Sequence, residues 1–312
     1  MLEPGWTERI GRGEINAVLI AGPTASGKSA VAFALAEKFG GVIINADSMQ
    51  AYRELRVLSA RPTVEEELRV PHRLYGHVEA GFEYSVGDYL RDAEVVLAEL
   101  QRARKLAIIV GGTGLYFKAL TSGFVATPEV PVAIRDAWET AWKAGDDLYG
   151  ALMQRDPEAA LALKPADAPR LIRALEVFEA TGRSILEWRR EAGSTPLLEP
   201  GRWTGIFLNP ERAALFARID FRFIAMIEQG ALDEVRRIAL LGLPANRGIM
   251  KAHGVPHLMA HLRGEISLDE AIARGQRDTR HYAKRQMTWA RQYMADWAWY
   301  ASGEEVLRSG IS

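Results

Sequence analysis

Residues 16–37 constrain this chain more than any other stretch. Asn16-Ala-Val-Leu-Ile-Ala21 is a short apolar, β-branched run that reads as a buried strand. Gly22-Pro23-Thr24-Ala25-Ser26-Gly27-Lys28-Ser29 follows, then Ala30-Val-Ala-Phe-Ala-Leu-Ala36, which reads as a buried helix. Strand, G-x-x-x-x-G-K-S and helix are the context that a phosphate-binding loop requires. The glycines let successive backbone N–H groups face one anion. The positive end of the following helix points at the same place. Lys28 adds a point charge for a terminal phosphate, and the Ser29 hydroxyl can hold Mg2+. A chance glycine-rich turn is the competing reading, and the flanking strand and helix weigh against it. The motif leaves open which phosphate compound is bound and whether a phosphoryl group moves.

The strand–helix pattern repeats beyond this loop. Gly40-Gly41 stops the helix, and Val42 to Ala46 reads as a second strand ending at Asp47-Ser48. A carboxylate at the carboxyl end of a strand, beside the strand of a phosphate loop, sits where open α/β sheets place their chemistry. A turn or N-cap role is the alternative for Asp47. Residues 52–71 are polar and loop-rich, broken by Pro62 and Pro71. His72 reads as structural, because no second His or carboxylate stands at metal-ligand spacing. From Ser85 to Arg104, Tyr89, Ala93, Val96, Leu97 and Leu100 recur at helical spacing. Lys105 to Val110 is a third strand. It runs into Gly111-Gly112-Thr113-Gly114 and the helical Leu115 to Leu120, a second glycine turn expected to line the same crevice.

The alternation stops near Phe124. From Thr127 to about Thr195 the periodicity is helical, with apolar stripes Ile134, Trp138, Ala141, Trp142 and Leu171, Leu175, Phe178. Trp203 to Leu208 would return the chain to the sheet. The rest reads as helix: Ala213 to Gln229, Leu232 to Leu241, and Leu268 to about Trp299. The expected architecture is α/β: a P-loop NTPase-like parallel sheet with an all-helical insertion and a helical C-terminal region. The discontinuous core is expected at 14–125 and 200–300, the insertion at 126–199, and tails at 1–13 and 301–312.

Charge adds a hint about the partner. The net charge of −1 speaks against a surface that coats any polyanion, but leaves room for a local basic patch. At about 100° per residue, Arg277, Arg280, Lys284 and Arg291 share one stripe of the last helix. Tyr282, Trp289, Tyr293 and Trp297 fall on the opposite side and are expected to be buried. Arg170, Arg173 and Arg183 form a second basic cluster in the insertion. A solvated helix face is the bland reading of such a stripe. Two clusters on separate elements suit a long polyanion better than a small phosphate. The chain has no cysteine, so any metal must be held by oxygen or nitrogen. No apolar leader or membrane-spanning stretch is apparent, and a soluble cytoplasmic protein is expected.

The ordered motifs resemble the tRNA dimethylallyltransferase (tRNA isopentenyltransferase) family through nearly the whole chain. They are Gly22 to Ser29; Asp47-Ser48-x-Gln50-x-Tyr52; Pro71-His72-Arg73-Leu74; Val110 to Leu120; and Asp156-Pro157-x-Ala159-Ala160. Arg170-Leu-x-Arg173-Ala-Leu-Glu-Val177, Arg218-Ile-x-x-Arg222-Phe223 and Thr279-Arg280-x-Tyr-Ala-Lys284-Arg285-Gln286-x-Thr288-Trp289-x-Arg291 complete the set. The resemblance implies transfer of a dimethylallyl group from dimethylallyl diphosphate to the N6 amine of adenosine 37, beside the anticodon, in tRNAs reading codons that begin with U. On that reading the loop binds a leaving diphosphate with Lys28, its amides and a Ser29-held Mg2+ neutralising the growing charge. The resemblance makes Asp47 the general base. Thr24 would donate to the bridging oxygen, and Arg222, with Arg218, would add charge. Expected tRNA contacts are Asp47, Ser48, Met49, Gln50, Thr113, Arg135, Pro169, Arg170, Leu171, Ile172, Arg173, Arg280 and Lys284. The basic helix stripe would lie along the tRNA backbone. A monomer is expected, because no sustained heptad appears.

Two departures from the family pattern stand out. Leu58-Ser59-Ala60-Arg61-Pro62 replaces Gly-Thr-Ala-Lys-Pro, and Gly254-Val255-Pro256-His257 replaces a Gly-Tyr followed by a basic and an acidic residue. Two other function classes remain. A P-loop small-molecule kinase would use Asp47 as acceptor base, but leaves the long basic helix unexplained. A non-catalytic RNA-binding module has no need of a strand-end carboxylate beside a P-loop.

Overall fold

The computed structural model describes residues 5–125, 128–191 and 195–311. The expected insertion border at 126, the helical start at Thr127, and the ends of both expected tails lie outside these. The described chain divides into two compact units, residues 1–121 with 197–312, and residues 122–196.

The first unit is built on a parallel sheet. Helix α1 (Trp6–Gly11) leads into β1 (Ala17–Ala21), followed by α2 (Lys28–Phe39) and β2 (Val42–Asn45). Then come α3 (Val64–Arg69), the two-residue β3 (His72–Arg73), α4 (Val86–Arg102), β4 (Ala107–Gly111) and α5 (Gly114–Ser122). The strand order is β3-β2-β4-β1-β5-β6, and every neighbouring pair is parallel. All five residues of β1 and of β4 are buried. A parallel sheet covered on both faces demands such unbroken apolar runs. Alternation sends Leu19, Ile44, Ile109 and Phe207 to one face, against α4 and α5. It sends Val18, Ile20, Ile43, Ile108 and Ile206 to the other, against α2. Helix α4 starts at a reciprocal capping box between Ser85 and Asp88.

The second unit is wholly helical among its described residues: α6 (Val132–Ala144), α7 (Leu148–Arg155), α8 (Pro157–Leu161), α9 (Ala168–Thr181) and α10 (Ile185–Glu191). Asp156 caps α8 by accepting the Ala159 N–H. Leu152, Ala160, Leu171, Leu175 and Val177 form a core of its own.

The chain rejoins the sheet as β5 (Trp203–Leu208) and continues as α11 (Arg212–Glu228), α12 (Ala231–Leu240), α13 (Val255–Leu262) and α14 (Leu268–Tyr293). Here the structure corrects three expectations. The last long helix ends at Tyr293, and Ala298–Tyr300 forms β6, an edge strand beside β5. The C-terminal region is otherwise helical, as expected, with this one short strand beyond the end of α14. Trp297 is buried in the turn between them, while Tyr293 is 38% exposed with the Lys118 ammonium over its ring. The expected tails also carry structure: α1 buries Trp6 and Ile10, and α15 (Gly303–Ile311) buries Val306, all in the core beneath α2. Among the described residues no helix is long and apolar enough to cross a membrane.

Candidate active site

The strand order assembles the site. β4 lies between β2 and β1, so Asp47, the Gly111–Gly114 turn and the phosphate loop leave three adjacent strands at their carboxyl ends. Asp47 is thus not directly beside the loop strand, as its sequence position suggested. Gly112 fills the interval. A Cβ there would lie 3.2 Å from Asp47 Oδ2 and 2.2 Å from Gln286 Nε2.

Each functional group is held by its own local bonds. The buried Asn45 side chain accepts the Asp47 N–H at 2.8 Å and donates to the Asp47 carbonyl at 2.8 Å and the Leu74 carbonyl at 3.0 Å. Asp47 Oδ1 accepts the Met49 N–H at 3.0 Å. The Ser48 N–H donates to Thr113 Oγ1 at 3.0 Å, so the second glycine turn steadies the turn after Asp47. Gln286, on α14, spans the loops. Its Oε1 accepts the Thr24 N–H at 3.1 Å, and its Nε2 donates to the Gly112 carbonyl at 2.8 Å. On the far side of the loop, Arg222 donates to the Thr24 hydroxyl and Arg218 donates to the Ala25 carbonyl at 3.0 Å.

These elements enclose two adjoining cavities. One, of about 670 Å3, is lined by residues 24–30 together with Asp47, Gln50, Ser59, Tyr75, Arg218 and Arg222. The other, of about 290 Å3, shares Thr24, Asp47, Ser59 and Arg222, and adds Met49, Phe223, His253 and Tyr282. Thr24, Asp47 and Arg222 therefore stand where the two meet.

Electrostatics in the larger cavity favour an anion. Burial pushes the Lys28 ammonium down to about 8, with Asp47 opposing and Arg222 reinforcing the shift. Its Nζ donates to the Pro23 carbonyl at 2.9 Å. Burial also lowers Arg222, against the pull of Asp47. The Ser26 hydroxyl is buried without a hydrogen-bond partner. A desolvated ammonium, a desolvated guanidinium and an orphaned hydroxyl leave donors for a phosphate oxygen to meet. Tyr75 and Tyr282 are pushed upward by burial first and by Asp47 second, so both phenols stay neutral. In the smaller cavity the His253 ring rests on Tyr282, centroids 4.7 Å apart. Burial, then Arg285, holds His253 below its usual range.

Ser29 is exposed at the mouth of the larger cavity, which among the described residues offers Asp47 as its one carboxylate. Mg2+ commonly takes one or two protein oxygens and completes its shell with phosphate and water. Ser29 fits that role, and no cluster of His, Asp and Glu among the described residues offers another.

The basic residues are distributed differently from the sequence expectation. Arg280 is paired with Asp220. In the insertion Arg170 pairs with Asp167, and Arg183 with Glu187 and Glu191, so that cluster is largely neutralised. Arg135 and Arg173 both reach Glu176, whose side chain is 3% exposed, at 3.4 and 3.1 Å. One buried carboxylate thus sets these two expected contacts side by side. Pro169, Leu171 and Ile172 lie on the same helix α9, with Leu171 and Ile172 buried in the unit's core. Lys284 and Arg291 keep company with Arg212 around a cleft of about 310 Å3 floored by Leu215, Phe216 and Met287.

The two departures acquire physical roles. The Arg61 guanidinium packs on Gly76, where a Cβ would come within 2.0 Å, and faces the Tyr52 and Arg53 carbonyls at 3.4 Å. His257 Nε2 and Asp278 Oδ2 are 2.7 Å apart, tying α13 to α14. Sequence reasoning gave no role to Gln286, His253 or Tyr75. Gln286 stood inside a quoted motif, and Tyr282 on the expected buried face, but their bonding partners lie far away in the chain.

A family model described as IPP transferase matches residues 50–293. A tRNA dimethylallyltransferase of Nitrobacter hamburgensis is 54% identical over 294 residues, covering 94% of this chain and 92% of that one. One from a Bradyrhizobium species is 55% identical over 285 residues, covering 91% and 93%. Among solved structures, a eukaryotic dimethylallyltransferase acting on tRNA superposes with a TM-score of 0.78 at 26% identity, covering 95% of this chain and 76% of that one. A full-length tRNA isopentenylpyrophosphate transferase of Bacillus halodurans gives 0.65 at 33% identity, covering 91% and 89%.

Proposed function

The chain belongs to the IPP transferase family, and we propose that it moves a dimethylallyl group from dimethylallyl diphosphate to N6 of adenosine 37 in tRNAs that read codons beginning with U. Membership makes it a tRNA prenyltransferase; the relatives do not favour the kinase reading. The observation that carries the finer reading is the meeting of two cavities at Thr24, Asp47 and Arg222. A reaction between two bulky substrates needs two entrances and one shared wall.

In this account the diphosphate occupies the cavity of the phosphate loop. The loop amides, Lys28, Arg218, Arg222 and the Ser26 hydroxyl meet its oxygens. Mg2+ held at Ser29 would supply further charge neutralisation. The adenine amine is a weak nucleophile, because its lone pair is delocalised into the ring. As that pair forms the new bond to the allylic C1, the C1–O bond breaks and its electrons leave with the diphosphate. The N6 proton passes to Asp47. Thr24, accepting from Arg222, is free to donate its own hydrogen to the bridging oxygen. Preorganised donors at the leaving oxygen stabilise charge where it develops.

The base must leave its stack to enter the smaller cavity. His253 on Tyr282, with Met49 and Phe223, offers it an aromatic and apolar wall. Arg135 and Arg173 of the helical unit serve as tRNA contacts, as do Ser48, Gln50 and Thr113. Arg212, Lys284 and Arg291 form a phosphate-positioning cleft that reads no sequence. We also propose that the enzyme works as a cytoplasmic monomer, as its sequence leads one to expect. The test is to incubate protein, Mg2+, labelled dimethylallyl diphosphate and unmodified tRNA, then digest the RNA. Label in N6-prenyladenosine from position 37 supports the reading. Label elsewhere, or ATP turnover without RNA, overturns it.

A further inference from the structure

Glu234 lies on α12, outside the set of residues given a role above, yet its side chain is almost wholly enclosed at 2% exposure. Its Oε2 accepts the Arg56 and Val57 N–H groups at 2.8 Å each, and its Oε1 accepts the Leu58 N–H at 3.0 Å. Three consecutive amides thus converge on one buried carboxylate. They belong to the loop whose next residues, Ser59 and Ala60, line the larger cavity. Leu58 and Ser59 line the smaller one. The loop is bent sharply, with Ala60 at φ 53. No regular strand or helix holds residues 56–60 in place.

The bonds continue toward the reaction centre. Gln50 Nε2 donates to the Ser59 carbonyl at 2.8 Å and the Ala60 carbonyl at 3.1 Å. The Gln50 N–H donates to the Asp47 carbonyl at 3.2 Å, and the Gln50 carbonyl accepts the Gly76 N–H at 3.0 Å. A short chain of hydrogen bonds therefore runs from Glu234 through the loop to the turn that carries Asp47. A carboxylate suits this place because it only accepts. An amide of the same shape would turn an N–H toward the amides it should receive.

We propose that Glu234 is a positioning residue for the transfer reaction: it fixes the 56–60 loop, and through Gln50 that loop fixes the Asp47 turn. The proposal rests on the transfer reading of the two cavities. The test compares wild type, Glu234→Gln, Glu234→Asp, Gln50→Ala and the double variant Glu234→Gln/Gln50→Ala, as full-length proteins. Backbone hydrogen exchange at residues 56–58 and steady-state label transfer are both measured well below each melting point. Glu234→Gln should exchange those amides at least about tenfold faster and lose about ten- to hundredfold in kcat/KM, the range expected for lost bonds to a charged acceptor. Glu234→Asp, which keeps the charge one methylene short, should recover part of both. Glu234→Gln and Gln50→Ala should be non-additive in kcat, which general loosening of the fold would not produce.

Unchanged exchange in Glu234→Gln overturns the anchor. Faster exchange with unchanged kcat/KM, or strictly additive losses, overturns the positioning role. If Glu234→Gln does not fold, an Asp variant that exchanges fast at residues 56–58 yet keeps full kcat/KM overturns it as well. Wild-type protein that transfers no label overturns the function reading and the proposal together. Active wild type beside an equally active Glu234→Gln overturns the proposal alone.

Discussion

Replacing Lys28 by Met removes a charge that the folded chain holds in a desolvated place. The displacement of Lys28 from 10.5 to about 8 corresponds to roughly 3 kcal/mol against the charged form. The bond from Nζ to the Pro23 carbonyl is lost on substitution, at a cost of about 1 kcal/mol. Met fills similar space, so Lys28→Met should stabilise the ligand-free protein by about 2 kcal/mol, or roughly 3 °C in melting temperature. The sign follows from proton counts. Below pH 8 folded and unfolded chains both carry the Lys28 proton, and the full penalty is present. Between about 8 and 10.5 only the unfolded chain carries it, so wild-type stability rises with pH and the gap to the variant closes. An anion in the cavity reverses the balance. Inorganic diphosphate should raise the wild-type melting temperature strongly at pH 7, less above pH 8, and that of Lys28→Met barely at any pH. The assay is thermal unfolding at pH 7 and pH 10, with and without diphosphate. A variant that melts below wild type at pH 7, or a gap that ignores pH, would mean that the buried Lys28 charge carries no such penalty.

Gln286→Leu removes both bonds that tie the phosphate loop to the second glycine turn. It should lower stability by about 2 kcal/mol and kcat by about tenfold or more, with tRNA affinity retained, as read by melting and filter binding. Alanine at Arg212, Lys284 and Arg291 together should flatten the salt dependence of tRNA binding by up to about 3 in log–log slope and leave kcat at saturation unchanged. Gly76→Ala places a methyl against the Arg61 guanidinium at a φ of 55°, and urea unfolding should show a loss of about 2 kcal/mol or more.

The four central strands were legible because each is an apolar run buried on both faces. β3 and β6 were not. Two or three residues at a sheet edge carry no visible period, and the aromatic pattern of α14 runs on through Trp297 into the strand. The helix has no Gly or Pro at its end to mark the stop. Asp47 and the phosphate loop could be read locally, since their chemistry sits in a few consecutive residues. Gln286 and Glu234 could not, because their partners lie 262 and roughly 178 residues away. The insertion arginines are a different case. Their acids stand at Asp167, Glu176 and Glu187, three or four residues off, so the pairing is local and could be read from the sequence.

Asp47 is proposed to take the proton from a tRNA amine attacking an allylic diphosphate beside the phosphate loop. Single-turnover transfer from labelled dimethylallyl diphosphate to unmodified tRNA, with Mg2+, tests it directly in wild type and Asp47→Asn. Asp47→Asn keeps the side-chain oxygen that accepts the Met49 N–H, so the turn should survive. Transfer is expected in wild type, and in the variant a rate at least about a hundredfold slower with tRNA and diphosphate still bound. Equal rates in the two proteins would contradict it.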